Sequence, residues 1–276
     1  MIANLFTVAE TDASRLRGAL AQLLAVTHEA VDVADTDGDQ EARRWDSPVL
    51  CTYRVLPPGD LAQELDIYVE DETAGALGEA DLAQGLAIRT TTSVLYPSMD
   101  IDLGSAYWVA VPDGRVVRCR LEAIDSDEDT RYRVDAVEEK VADLPGAKVE
   151  WLPEALEHEP IRTPLTDAFL ATYPTDTAGS VEGRVHYSLH VWERLVRRLE
   201  SDWSPSGRYR EDLFRRDLEA RDTLARLVHE VDDVYADNLR SAVTRLDGIF
   251  RACTEPGNDE EAERWWWCRR PRHVPW

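Results

Sequence analysis

Apolar residues recur through the carboxy-terminal part of the chain with the three-then-four spacing of an α-helix. Within residues 210–252 they fall at Leu224, Leu227, Val228, Val231, Val234, Tyr235, Leu239, Val243, Leu246, Ile249 and Phe250. Such a stripe lies along one side of a helix and has to be buried against a partner. Asp232, Asp233, Asp237, Arg240, Arg245 and Asp247 fall between the apolar positions and read as the solvated side. A second stripe, Leu189, Trp192, Val196, Leu199 and Trp203, marks a helix over residues 185–203. Ser204-Pro205-Ser206-Gly207 separates the two patterns, because proline lacks the N–H a continuing helix needs and its ring clashes with the turn before it. Together the stripes predict an antiparallel helical pair.

The first half of the chain is organised on shorter, extended segments. Residues 5–9, 30–34, 49–56, 65–69 and 93–96 read as strands, and residues 12–24 and 79–88 as helices with one apolar side. Pro57-Pro58-Gly59 closes the third strand. The clearest β signal is the pair of segments 107–111 and 116–124 around Pro112-Asp113-Gly114, where proline presets φ and glycine accepts a positive one. Residues 132–137 add a further strand, with Tyr132, Val134 and Ala136 alternating against Arg133 and Asp135. This mixture predicts an α+β fold, with a mixed or antiparallel sheet and two covering helices in the first half. The expected organisation is an acidic α+β domain over residues 1–151, a linker over 152–184 containing a brief helix at 164–170, a helical hairpin region over 185–253, and an acidic spacer with a Trp/Arg-rich tail over 254–276.

Charge changes the picture most. The 276 residues carry a formal net charge of −23, and it is unevenly shared. Residues 1–150 hold 30 acidic and 13 basic side chains, net −17, whereas residues 151–276 hold 24 and 18, net −6. A field of that sign disfavours naked nucleic acid and anionic membrane as partners of the body, and favours a basic protein. The 43% hydrophobic content is ample for a packed core. Cys51, Cys119, Cys253 and Cys268 form no CxxC pair, so neither a zinc knuckle nor a disulfide framework is expected. With no signal-like amino terminus and no apolar run of membrane-spanning length, a cytoplasmic location with no membrane span is expected.

Three groups of residues could carry chemistry. His186, His190 and Glu193 share one side of a helix at spacings of four and three, and His229 with Asp233 could complete a divalent transition-metal site across the helical pair. Taking about 100° per residue, these side chains flank the apolar stripe instead of pointing along it. Asp35, Asp37, Asp39 and Asp46 have the spacing of a calcium loop, although Gln40 stands where the sharp turn needs glycine and the twelfth position holds the shorter Asp. Finally, Trp265, Trp266, Trp267, Arg269, Arg270 and Trp276 form a tail suited to a partner or to docking back onto the protein itself.

No phosphate-binding loop, nucleophile elbow or HExxH helix is present. The leading expectation is therefore a non-catalytic cytosolic interaction protein, of inhibitor, immunity or adaptor type, that needs no cofactor and binds a basic partner through its acidic first half. The alternative is a metal-dependent enzyme with its His/carboxylate site on the helical pair.

Overall fold

The computed structural model describes the chain except residues 99–103, 126–128, 154, 156–160, 176 and 258–263 and the side chain of Gln40. It is an α+β protein that divides into two compact units, Met1–Glu159 and Pro160–Trp276.

The first unit is built on a nine-stranded mixed sheet. In chain order its elements are β1 (Ile2–Thr7), α1 (Ala13–Leu23), β2 (Val31–Asp35), β3 (Val49–Val55), β4 (Gln63–Val69), α2 (Asp71–Ala74), α3 (Glu79–Thr90), β5 (Val94–Pro97), β6 (Tyr107–Ala110), β7 (Val116–Asp125), β8 (Thr130–Val137) and β9 (Lys148–Val149). The strands lie in the order β2-β3-β4-β1-β5-β6-β7-β8-β9. The β2–β3 and β8–β9 pairs are parallel and the remaining pairs antiparallel. Alternation sends Ala3, Leu5, Val31, Val33, Val49, Cys51, Leu65, Ile67 and Val69 to one side, where Leu16 and Leu20 of α1 and Leu82 and Leu86 of α3 bury them.

Local chemistry fixes how the helices meet that sheet. Asp12 caps α1 by accepting the Arg15 N–H at 2.9 Å. The buried amide of Gln63 accepts the Thr11 N–H at 2.7 Å and donates to the Thr11 carbonyl at 3.2 Å, tying the entry of α1 to β4. Gly85 faces Leu23, where an added Cβ would lie 2.4 Å from its Cδ1, so glycine lets α1 and α3 approach closely. The thiols of Cys51 and Cys119 are fully buried here, and burial pushes the Cys51 thiol up to about 12 and the Cys119 thiol higher still.

The second unit is helical: α4 (Pro164–Thr172), α5 (Val181–Glu200), α6 (Glu211–Leu227) and α7 (Asp233–Cys253), closed by the short antiparallel pair β10 (Thr254–Pro256) and β11 (Arg269–Pro271). α5 packs against α4, α6 and α7, so the expected helical pair is corrected to a cluster around a central helix. The single pattern over 210–252 is two helices. Asp232 adopts an extended conformation and accepts the Tyr235 N–H at 3.0 Å, starting α7 anew. Residues 228–231 close the end of α6 as a turn, with the Glu230 N–H donating to the Leu227 carbonyl at 2.9 Å. The apolar period survives the break because both helices bury their stripes; Val234, in the first turn of α7, is 68% exposed.

α5 begins earlier than its apolar pattern suggested. Ser180 caps it, accepting the Gly183 N–H at 3.0 Å. A Cβ on Gly183 would stand 2.2 Å from the Thr177 carbonyl, so only glycine fits where the chain doubles back into the helix. Within the core Trp192 and Phe250 pack at a ring separation of 4.8 Å, and Arg221 of α6 pairs in bidentate fashion with Asp247 of α7, both contacts at 2.9 Å. Among the described residues no helix is long and apolar enough to cross a membrane.

Candidate functional site

The sheet of the first unit has a second side, and its two ends are treated differently. Around β5–β8 it is covered: Phe6, Leu95, Val109, Val117, Leu121 and Val134 form a second core with Leu56 and Leu61 of the β3–β4 loop and Val141 and Leu144. That loop is pinned by the Asp60 N–H donating to the Tyr132 carbonyl at 2.9 Å and by the Asp60 carboxylate accepting the Val134 N–H at 2.8 Å. Around β2, β3, β4 and β1 the same side is open. Register aligns Asp32, Leu50, Tyr68 and Ile2 in one row, Ala34, Thr52, Asp66 and Asn4 in the next, and then the ion-paired Arg54 and Glu64. Ile2 is 72% and Tyr68 45% exposed. Asp66 stands in the middle row, its carboxyl pKa raised from the ordinary value by partial burial and by the neighbouring Glu64 charge.

At the outer edge of this open area Arg43 crosses from β2 to β3. Its Nε donates to Asp32 at 3.0 Å and its Nη1 to Thr52 at 2.8 Å. The indole of Trp45, 60% exposed, stacks on that guanidinium at 4.4 Å. A cleft of about 490 Å³ opens along the edge of β2, lined by Arg17, His28, Glu29, Asp32, Val33, Ala34, Asp39, Ala42, Arg43 and Arg44. Three of the eleven arginines of a strongly acidic unit line it. Arg17 and Arg44 donate to the Val31 carbonyl at 3.2 and 2.8 Å, and Arg44 also to the Glu29 carbonyl at 2.6 Å. These bonds satisfy part of an edge strand that would otherwise invite pairing. Asp32 sits between two guanidinium groups, 3.0 Å from Arg43 and 3.8 Å from Arg44.

The acidic loop expected to resemble a calcium site forms one rim of that cleft. Asp35 accepts the Asp37 N–H at 3.0 Å and Asp39 accepts the Glu41 N–H at 2.9 Å, so these carboxylates cap turns of their own loop. Asp37 and Asp46 are exposed.

The His/carboxylate set of the second unit is dispersed among different tasks. Glu193 is fully buried and sits at the start of α4, accepting the Leu165 N–H at 3.1 Å, the Thr166 N–H at 2.7 Å and the Thr166 hydroxyl at 2.8 Å. Its negative charge therefore meets the positive end of a helix, and Arg197 completes the shell at 3.0 Å. His190 lies 3.3 Å from the Thr163 hydroxyl, and burial holds its imidazole below the ordinary value. His186 is enclosed beside Phe169, ring centres 5.8 Å apart, in an aromatic nest with Tyr173 and Tyr235. Both its ring nitrogens are buried without a hydrogen-bond partner, and desolvation lowers its pKa. His229 and Asp233 are exposed around the α6–α7 turn. Among the described residues no group of three or more His, Cys, Asp or Glu side chains is placed to hold a metal ion.

The tail docks on its own helical unit. Asp222 of α6 accepts the indole N–H of Trp266 at 2.9 Å and that of Trp267 at 3.0 Å, and pairs with Arg264 at 2.6 Å. Arg221 lies over the Trp266 ring at 4.3 Å and Arg251 over the Trp265 ring at 3.9 Å. Arg269 donates to the Thr254 hydroxyl at 2.7 Å, Arg270 pairs with Glu255 at 2.7 Å, and Trp276 packs on Phe214 at 5.4 Å. Most of the acidic spacer, residues 258–263, lies outside the described residues.

No protein-family model, no curated protein and no solved structure matches the chain. The open sheet side and its flanking cleft were not singled out by sequence reasoning. The one local signal was Arg43-Arg44-Trp45, a cationic and aromatic triplet directly after an acidic loop.

Proposed function

We propose that this is a non-catalytic interaction protein, of the inhibitor, immunity or adaptor kind, which docks a basic protein on the open side of the sheet in its first unit. The observation that carries the reading is the coincidence of exposed anchors with charge. Ile2, Tyr68 and Trp45 stand on or beside an uncovered four-strand surface of a unit that holds 33 acidic against 13 basic residues. The second unit holds 21 against 18. Exposed tyrosine and tryptophan supply large contact areas at low entropic cost, and a surrounding field of one sign raises the encounter rate with a partner of the other.

The test is an affinity capture from the native host at low and at high salt, run in parallel with wild type, Tyr68→Ala and Trp45→Ala. The expected result is a basic protein retained at low salt, released at high salt and lost with either substitution. Recovery of nothing, or of a protein indifferent to salt and to both substitutions, would overturn the reading. A metal-dependent reaction has less support, because Glu193 is committed to capping α4 and His229 lies on an exposed turn.

A further inference from the structure

The cleft beside β2 combines three features that no part of the docking reading uses. The first is an exposed strand edge. The Thr36 N–H donates to the Tyr53 carbonyl at 2.8 Å while Asp35 stands opposite Tyr53, so even-numbered residues of β2 bond to β3 and Val31, Val33 and Asp35 turn their backbone groups outward. Val31 is already satisfied, its N–H by the His28 carbonyl and its C=O by Arg17 and Arg44. The Asp35 carbonyl accepts the Gly38 N–H at 3.1 Å. Val33, which lines the cleft, is left with an outward N–H and C=O.

The second feature is unused donors. Arg43 has a side chain only 4% exposed, and its Nη2 is buried with no acceptor, although its Nε and Nη1 are bonded. Arg17 donates from Nε alone, leaving both terminal nitrogens without an acceptor among the described residues. Buried guanidinium donors are seldom left unmatched, and a planar carboxylate is the group that matches their fork.

The third feature is the sign of the rim. Glu29 and Asp39 also line the cleft, and their charges penalise a doubly charged anion more than a singly charged one. The volume of about 490 Å³ falls in the range of small-ligand sites.

We propose that this cleft captures the carboxy terminus of an extended peptide. The terminal carboxylate is taken by the free terminal nitrogens of Arg17, with the buried positive charge of Arg43 behind it, and the adjoining backbone adds to the edge of β2 at Val33. The site borders the docking surface at Asp32 and Arg43 but rests on Arg17 and the outer edge of β2, and would hold whether or not a basic protein binds there.

The experiment titrates the full-length, ¹⁵N-labelled protein with acetyl-Ala-Ala-Ala as the free acid, and separately as the carboxamide, to millimolar concentrations. Inorganic phosphate serves as a third arm. The free acid is expected to shift the Val33 amide and the Arg17 Nε–H together and saturably, with the carboxamide weaker by about tenfold or more. Arg17→Gln, on the cleft's accessible side, should weaken the free acid to the same extent while leaving the spectrum otherwise folded. Equal binding of acid and amide overturns the proposal, as does the absence of saturable shifts with all three ligands. Phosphate binding more tightly than the free acid overturns it too, in favour of a general anion site.

Discussion

The aromatic side chains of the two units make an instructive contrast. In the helical unit several indoles are held by polar partners: Trp266 and Trp267 share the Asp222 carboxylate, Trp265 and Trp266 lie under guanidinium groups, and the indole N–H of Trp203 donates to the His273 carbonyl at 3.0 Å, although Tyr187 stands 72% exposed. In the sheet unit Trp45 stacks on Arg43 and is 60% exposed, and Tyr68 and Ile2 are 45% and 72% exposed on the open side of the sheet. Where an indole has a polar partner for its N–H and a packed ring, it contributes stability; an exposed one leaves area that, in the reading proposed above, another molecule would cover.

That contrast can be broken first in the helical unit. Trp266→Ala removes a ring that is 6% exposed and should cost about 3–5 kcal/mol, read from denaturant midpoints of the second unit. Asp222→Ala strips the acceptor from two indoles and Arg264. Because that carboxylate is 31% exposed, water replaces part of the loss and a cost of about 1–2 kcal/mol is expected.

A smaller effect should follow acidity. His186 has its pKa lowered from 6.5 by burial, so the unfolded chain takes up the proton more readily than the native one. Stability is then complete above about pH 6.5 and declines as pH falls toward the lowered native value. His186→Phe should flatten that decline, checked by comparing urea midpoints at neutral pH and about pH 5. The smallest stability change is expected for Tyr68→Ala, within about 0.5 kcal/mol, even though that variant should fail to retain the partner. A large loss of stability on Tyr68→Ala would mean that the open side is not open.

The elements themselves could largely be read from the sequence, because alternation and helical period are local properties. The β6–β7 turn at Pro112-Asp113-Gly114 and the amphipathic helices α5, α6 and α7 are examples. The break between α6 and α7 was masked by an apolar period that continues through it, although Asp232 was already in place as a cap. What was not readable depends on residues distant in the chain. The cleft draws Arg17 from α1, His28 from the turn before β2, and Arg43 and Arg44 from the loop after it, and they meet around β2, where Arg17 and Arg44 share the Val31 carbonyl. Glu193 looked like a ligand from its spacing to His190; its actual partners are the first N–H groups of α4, which no periodicity announces. The tail was read as suited to a partner or to docking on the protein itself; its contact with Asp222, more than forty residues earlier in its own unit, had no local signal.

The burial of Cys51 and Cys119 has a practical corollary. Cys253 and Cys268 are partly accessible and both belong to the helical unit. A thiol-directed alkylating reagent applied to the native protein should therefore add at most two groups, leaving the sheet unit unmarked. Any third or fourth addition would count molecules whose sheet had come apart, so mass spectrometry after a brief pulse becomes a clock for the opening of that unit alone.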